Sequence, residues 1–426
     1  MKRKLSILII CISLCILIAS CGSNFTIVKE YSKTAPESVG LSSQQLDEIT
    51  KMLKGDVAKG RIPGAVAMVF RKGEIPYLVS VGMQDKRADI PMTRDSIFRI
   101  YSMTKPIVSV VAMILCDEGR LHLDDPISKY LPEFNSMKVG VEIIGRSTGE
   151  RDTFYTVPAK GKITVRDLHM HTAGLTYGVF GTSAVKSMYL DAGVPDTDQT
   201  LTEKVRKISK LPLAYQPGTV WEYSRSHDVL GRLIEVVSGM TLDRFFEERI
   251  FRPLGMKDTG FYVKGGNHGR IAQTNSVIPL SDVTSRPKLL SGGGGLVSTI
   301  DDYLRFSKML LNGGELDGKR ILKKKTVMLM TKDHLGKLSE RSDNKYYPGP
   351  GYGFGLGVMV RKEKEAWLPG SIGDYAWAGY AGTHFWIDPK ESLIGIFMIQ
   401  KPSRLVYYQS NFRKGVYGAI IDREGK

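Results

Sequence analysis

The chain has 426 residues, 42% of them hydrophobic and 24% charged, which excludes a disordered chain and a coiled coil. Lys and Arg outnumber Asp and Glu by 60 to 44, giving a formal net charge of +16. No dense basic stripe with interleaved aromatic residues accompanies that charge, so we expect no nucleic-acid partner. The longest basic run, Arg320 with Lys323, Lys324 and Lys325, is typical of a solvated surface.

The N-terminus is typical of an export signal. Basic residues 2–4 precede an apolar run over 5–19, which is shorter than the roughly 20 residues of a membrane span. The run ends in Ile-Ala-Ser-Cys-Gly and is similar to a bacterial lipobox, with Cys21 as the lipidated residue; the alternative is an ordinary signal peptide with a chance cysteine. We expect a lipoprotein signal over 1–21, a polar tether over 22–35 and a lipid anchor in the bacterial cell envelope, at the outer membrane or periplasmic face of a Gram-negative host. After removal of the signal and lipidation of Cys21, the mature chain would keep Cys116 as its one unmodified cysteine. No intramolecular disulfide or cysteine zinc site is therefore expected.

The predicted elements follow in chain order. Helical periodicity covers 40–54, strands are predicted over 64–70 and 75–81, and a second hairpin over 383–387 and 393–399. Helices are predicted over 105–118, 165–169, 202–208, 226–238 and 242–250, while 134–164 is polar without helical period. Strands at both ends with helices between predict one two-lobed α+β or α/β domain over 36–424. An antiparallel sheet flanked by helices would occupy about 36–115 and 290–424, a mainly helical lobe about 116–289, and the ligand cleft the space between them.

The most informative short pattern is Ser-x-x-Lys. It occurs at Ser102, Ser183, Ser285 and Ser342, but only Ser102 opens a long apolar helix. Residues three apart share a helical face, so the Lys105 amine can reach the Ser102 hydroxyl. A serine becomes nucleophilic when a neighbouring base accepts its proton, and burial lowers the pKa of a lysine toward that role. The alternative is a helix-capping serine beside a solvated lysine.

Two further segments suggest a cleft. Tyr223 lies in a short loop that feeds an apolar helix, where a tyrosine can present its hydroxyl to a ligand. Residues 376–383, Ala-Trp-Ala-Gly-Tyr-Ala-Gly-Thr, are mostly small and lead into a strand, which allows close approach of a ligand to the backbone. Taken alone, the first is more often a core tyrosine and the second a glycine-rich strand entry.

Together, in this order, these segments resemble the serine β-lactamase and penicillin-binding-protein-like superfamily. They are most similar to its class C β-lactamase-related esterases, the family VIII carboxylesterases, over about 36–421. The resemblance implies Ser102 as the acylated nucleophile, and Lys105 with Tyr223 as the proton-transfer pair, either of which could be the operative base. It implies an oxyanion hole from the backbone amides of Ser102 and Tyr380, with Trp377 lining the acyl pocket.

Two departures from the β-lactamase pattern are informative. Arg225 stands where those enzymes have the Asn of Tyr-x-Asn, and Trp377-Ala378-Gly379 replaces Lys-Thr-Gly. The missing lysine normally holds a substrate carboxylate, so its replacement by tryptophan favours neutral esters. Arg225 could supply a substitute charge or serve only as a structural arginine at the helix start.

No cofactor or metal is expected. His169 and His171 are only two ligands, and alone they would leave a metal ion under-coordinated. We interpret this segment instead as a helix end followed by a turn at Gly174. The leading hypothesis is a serine esterase acting on small, fairly apolar esters or amides through an acyl-enzyme. The first alternative is a β-lactamase, D,D-peptidase or D-amino-acid amidase, and the second a non-catalytic binding lipoprotein.

Overall fold

A computed structural model describes residues 27–30, 32–143, 153–340 and 348–422. The predicted signal over 1–21, Cys21, and Ser342 lie outside the described residues. None of the helices in the described ranges combines the length and the apolar character that a membrane span needs.

Fifteen strands are present in the described ranges. In chain order they are β1 Val28–Glu30, β2 Gly64–Arg71, β3 Glu74–Asp85, β4 Ile90–Pro91, β5 Phe98–Arg99, β6 Lys138–Ile143, β7 Thr153–Pro158, β8 Val297–Ser298, β9 Glu315–Leu316, β10 Lys319–Arg320, β11 Tyr352–Phe354, β12 Met359–Arg361, β13 Tyr375–Ala378, β14 His384–Asp388 and β15 Leu393–Met398.

Eleven α-helices accompany them in the same ranges. They are α1 Ser43–Ala58, α2 Thr104–Asp117, α3 Val165–Met170, α4 Ala184–Asp191, α5 Leu201–Ser209, α6 Ser226–Ser238, α7 Leu242–Phe246, α8 Arg252–Leu254, α9 Ile300–Leu311, α10 Lys324–Met330 and α11 Leu405–Gly418.

One antiparallel sheet joins the two ends of the chain. Its strand order is β1-β3-β2-β15-β14-β13-β12-β11, with β4 added beside β3. The predicted N-terminal and C-terminal hairpins therefore meet in the centre of one sheet, where Val69 pairs with Gly395. The antiparallel sheet flanked by helices is the architecture expected from the sequence.

Helices cover both faces of the sheet. Along β14, Trp386 packs on Phe412 of α11 at 5.5 Å between ring centroids, whereas the adjacent Phe385 packs on Tyr303 of α9 at 4.9 Å. Neighbouring strand residues point to opposite faces, so α11 and α9 lie on opposite sides. The central strands β2, β14 and β15 are accordingly buried along their whole length.

Three predicted segments differ from the structure. Val28–Glu30, predicted as tether, forms β1, because it satisfies the otherwise unpaired edge of β3. The helix predicted over 242–250 ends as an α-helix at Phe246 and continues as a π-turn over Glu247–Phe251, just before Pro253, which has no amide to close an α-turn. The polar segment 134–164 contains the hairpin of β6 and β7.

A buried ion cluster ties α11 to the far edge of the sheet. The Asp374 carboxylate accepts hydrogen bonds from Arg361 of β12, at 2.8 Å, and from Arg413 of α11. All three side chains are buried, and Arg361 also donates to the Tyr352 hydroxyl at 2.9 Å. Two buried guanidinium groups therefore depend on one carboxylate.

We predict that Asp374→Asn lowers the free energy of unfolding by about 3–5 kcal/mol, because it leaves two buried cations without a counter-charge. Urea unfolding followed by far-UV circular dichroism measures the change. Glu48→Gln, which breaks the exposed pair with Lys51, is the matched control and should change stability much less. Equal effects of the two substitutions would contradict a structural role for the cluster.

Candidate active site

Ser102 lies in a single 3₁₀ turn, Tyr101–Met103, that leads into helix α2. The sequence placed Ser102 at the start of the helix, but α2 begins at Thr104 and its N-cap position is Met103. The Ser102 hydroxyl is therefore not used as a helix cap. Tyr101 has a φ of +42°, a left-handed conformation that is strained for a non-glycine residue.

Lys105 is fully buried on the first turn of α2. Its ammonium Nζ lies 3.1 Å from Ser102 Oγ and also donates to the carbonyl oxygen of Gly293. Burial lowers the pKa of Lys105 to about 7; the Asp228 carboxylate opposes that shift and the Arg225 guanidinium adds to it. A substantial fraction of neutral amine is thus present at neutral pH, directly beside the serine hydroxyl.

Tyr223 completes the group from the loop before α6. Its hydroxyl oxygen lies 2.7 Å from Ser102 Oγ, and Lys105 Nζ lies 4.8 Å from the centre of its ring. The ring stacks between Trp221, at 6.0 Å between centroids, and Tyr177, at 5.2 Å. The structure therefore brings together Ser102, Lys105 and Tyr223, as the sequence predicted.

The end of β13 lies against the serine turn. A Cβ on Gly379 would come within 2.3 Å of the Ile100 carbonyl oxygen, so only glycine permits this approach. Ala378 and Gly379 line the same cavity as Ser102, and the exposed Tyr380 packs edge-on against Tyr101 at 5.6 Å. Trp377 is 1% exposed, and its ring contacts Tyr223 at 5.7 Å between centroids.

Arg225 does not extend freely into the cleft. Its guanidinium carbon lies 4.0 Å from the centre of the Tyr177 ring, and one of its nitrogens lies 3.9 Å from the Asp228 carboxylate. Asp228 also accepts hydrogen bonds from Ser291 Oγ, at 2.6 Å, and from the Gly293 amide, at 3.0 Å. The carboxylate therefore fixes the loop whose carbonyl oxygen binds Lys105.

Sequence reasoning missed three residues of this site: Tyr177, Lys204 and Asp228. Lys204 of α5 is buried with its Nζ 3.6 Å from the same Asp228 carboxylate. The sequence of an amphipathic helix such as α5 does not reveal that one of its lysines is buried. Tyr177 belongs to no recognisable motif. Asp228 follows Tyr223 by five residues, but only the folded structure shows what its carboxylate contacts.

The two predicted histidines are structural in this arrangement. His169 lies in α3, and His171 follows the helix with a φ of +59°. Both side chains are buried. His169 hydrogen-bonds to Ser109 Oγ at 3.0 Å, and His171 to Ser224 Oγ at 3.1 Å. Across the described parts of the chain, no cluster of three or more His, Cys, Asp or Glu is arranged to hold a metal ion.

Two cavities meet at Ser102 and share Val179, Phe180, Tyr223 and Tyr380 as walls. One, of about 680 Å³, is mainly apolar; its lining includes Val179, Phe180, Trp377, Leu405 and Val406. We call it the apolar cavity. The other, of about 790 Å³, includes Tyr177, Lys204 and Arg225 in its lining and extends to residues 281–289. We call it the basic cavity.

Residues 49–416 match the family model described as Beta-lactamase. The chain belongs to the beta-lactamase family. Among its relatives, Protein Rv1367c of Mycobacterium tuberculosis is 36% identical over 361 residues, which are 80% of this chain and 86% of that protein. Esterase EstB of Burkholderia gladioli is 32% identical over 273 residues, 58% of this chain and 64% of the esterase.

A solved structure extends the same comparison. It is that of EstCE1, described as a hydrolase with promiscuous acyltransferase activity, with a TM-score of 0.72 and 27% identity over 88% of this chain and 99% of that one. These likenesses confirm the β-lactamase-like fold and identify the chain as a serine hydrolase of the beta-lactamase family.

Two other Ser-x-x-Lys serines, Ser183 and Ser285, lie among the residues that the structure describes, and their surroundings differ from those of Ser102. Ser183 caps α4 by accepting a hydrogen bond from the Lys186 amide at 3.1 Å. The Lys186 ammonium pairs with Glu222 at 3.1 Å. Ser285 lies in the loop at the outer part of the basic cavity. Ser102 is therefore distinguished by its Lys105 and Tyr223 neighbours.

The lowered pKa of Lys105 predicts a pH dependence for any reaction that uses its neutral amine. We expect kcat/KM for a neutral ester to rise with pH, with a midpoint near 7, and to level off above it. Because the Arg225 charge contributes to lowering this pKa, Arg225→Gln should move the midpoint to higher pH. Arg244→Gln on the exposed face of α7 is the control that should leave it in place. A midpoint that Arg225→Gln leaves unchanged would contradict this electrostatic account.

Proposed function

We propose that the protein is a carboxylesterase of the family VIII type that cleaves small, fairly apolar esters through an acyl-enzyme on Ser102. The observation that carries the proposal is the contact of Ser102 Oγ with both Lys105 Nζ, at 3.1 Å, and the Tyr223 hydroxyl, at 2.7 Å. A serine that contacts both an amine with a lowered pKa and a phenol hydroxyl that can relay a proton suits nucleophilic catalysis.

The reaction begins when the Lys105–Tyr223 pair accepts the Ser102 proton and Oγ attacks the ester carbonyl carbon. The backbone amides of Ser102 and Tyr380 stabilise the negative oxygen that forms, a contribution worth about 10²–10³ in rate per donor. The pair returns the proton to the alcohol as its C–O bond breaks. Water then attacks the acyl-enzyme by the same route and releases the acid, and the serine regains its proton.

The surroundings of the serine favour esters over β-lactams and peptides ending in a carboxylate. Trp377 occupies the position where the lactam-cleaving relatives have a lysine, and it gives the apolar cavity an aromatic wall. Arg225 lies in the other cavity, so it does not take the place of the missing lysine beside the apolar wall. The similarity to the esterase EstB and to EstCE1, a hydrolase with promiscuous acyltransferase activity, supports the same choice.

The decisive experiment compares the protein with Ser102→Ala on p-nitrophenyl butyrate and on a chromogenic cephalosporin. We expect Ser102→Ala to reduce ester turnover by about 10³-fold or more, because it removes the nucleophile, and the native protein to turn over little cephalosporin. Ser183→Ala is a matched control, since it changes a serine with the same Ser-x-x-Lys spacing that only caps a helix.

Three outcomes would revise the proposal. Equal turnover by the native protein and Ser102→Ala would mean that another residue is the nucleophile. Cephalosporin turnover at or above ester turnover would favour a penicillin-recognising hydrolase. Inactivity on both substrates would favour a binding lipoprotein.

We further propose that the mature protein is attached to the bacterial cell envelope through lipid on Cys21. The basic residues 2–4, the short apolar run and the small residues before Cys21 support this proposal. In a bacterial host, Cys21→Ala should abolish incorporation of radiolabelled palmitate and move the protein out of the detergent phase of a Triton X-114 partition. Cys15→Ala, inside the signal, should change neither, and labelling of Cys21→Ala would refute the assignment.

A further inference from the structure

The charges that line the basic cavity are unequal in sign. The lining cations are Arg99, Lys204, Arg225, Arg286 and Lys288, and the lining carboxylates are Asp198 and Asp282. Positive charge therefore predominates on the wall that continues from Ser102.

The outer cations of this cavity each have an acidic neighbour. Lys288 pairs with Asp198 at 3.4 Å, and Arg286 pairs with Asp243 at 2.7 Å. Arg99 donates to the carbonyl oxygens of Ser281 and Ala272, and the charge of Asp282 acts on it. None of these three side chains accounts for a local excess of charge.

The excess lies at Lys204 and Arg225, whose shared ion-pair partner is the carboxylate of Asp228. The charge of Asp196 also acts on Lys204, but from beyond ion-pair distance. Both approach the same oxygen, Oδ2, at 3.6 and 3.9 Å, which is beyond hydrogen-bond distance. The other oxygen, Oδ1, is occupied by Ser291 and Gly293. Arg225 Nε is buried, and no residue that the structure describes accepts a hydrogen bond from it. Buried Lys204 and half-buried Arg225, which line the same cavity as Ser102, thus have one ion-pair partner between them.

Buried charges are stable when they are paired and hydrogen-bonded, and a carboxylate satisfies both requirements for lysine and arginine. We propose that the substrate is an ester with two unlike arms, one apolar and the other bearing a carboxylate that binds at Lys204 and Arg225. The apolar arm occupies the apolar cavity. This inference rests on the proposed esterase function and specifies its substrate class.

The test uses two matched pairs of esters. Rates in the first pair are normalised to the uncatalysed hydrolysis of the same compound. In the second pair the leaving group is the same, and spontaneous hydrolysis is subtracted instead, because the free carboxylate of a glutarate monoester attacks its own ester. 4-Carboxyphenyl butyrate and its methyl ester place the charge on the alcohol arm, whereas p-nitrophenyl glutarate monoester and p-nitrophenyl butyrate place it on the acyl arm. We expect kcat/KM to favour the anionic member of one pair by about tenfold or more. That pair identifies the arm. No preference in either pair would overturn the inference.

Variants assign the preference to the cavity. Lys204→Met leaves one cation for one carboxylate, and should bring the ratio of kcat/KM for the anionic ester to kcat/KM for its neutral partner down toward 1. Lys51→Met, the same change on the exposed face of α1, should leave the preference intact. Leu405→Ala, in the lining of the apolar cavity alone, should instead lower the ratio of hexanoate to acetate turnover without affecting the anion preference. An anion preference that survives Lys204→Met would overturn the assignment.

The native protein provides a second readout if Lys204→Met does not fold. Glutarate should inhibit p-nitrophenyl butyrate hydrolysis competitively, and more strongly than its neutral diamide, with inhibition that weakens as salt rises. Equal inhibition by the two compounds would overturn the inference. Failure of the proposed function is a different result, because it appears as the absence of ester turnover or as ester turnover that does not depend on Ser102.

Discussion

The Lys105 ammonium lies buried between Ser102 Oγ and the Gly293 carbonyl oxygen, and much of the surrounding structure serves to keep it there. Removing a charged amine from water disfavours the charged form, which is why the pKa falls to about 7. Helix α2 is buried along nearly its whole length, so the residues that surround Lys105 on its own helix are shielded from solvent as well. The same burial that would destabilise an ordinary lysine favours the neutral amine of Lys105 beside Ser102 Oγ.

Each partner of that lysine is fixed by another part of the fold. Asp228 of α6 binds the loop that presents the Gly293 carbonyl oxygen, and Gly292 in that loop has no room for a side chain, since a Cβ would lie 2.3 Å from the His227 carbonyl oxygen. The central sheet brings the end of β13 against the turn before Ser102. Helices, loop and sheet therefore converge on one serine from distant parts of the sequence.

This convergence explains how much could be predicted. Ser102 and Lys105 are three residues apart, so helical spacing alone predicted their contact, and the strands over 64–70 and 393–399 followed from their apolar runs and flanking turns. Tyr223 required the family resemblance, because its contact with Ser102 spans 121 positions. Lys204 and Tyr177 carry no local signal at all. Their roles depend on tertiary packing that brings α5 and the loop after α3 to the same cavity.

The position of the positive charge is the main difference between expectation and structure. The sequence suggested that Trp377 removes a substrate-binding cation and that Arg225 might replace it. In the structure the two lie in different cavities, and Arg225 is joined by Lys204 around a shared carboxylate. Arg225 therefore does not restore a positive charge at the position that Trp377 occupies. An apolar wall on one side of Ser102 and an incompletely neutralised pair on the other give the cleft a polarity along its length, and such a gradient can orient an asymmetric ester before the serine attacks it.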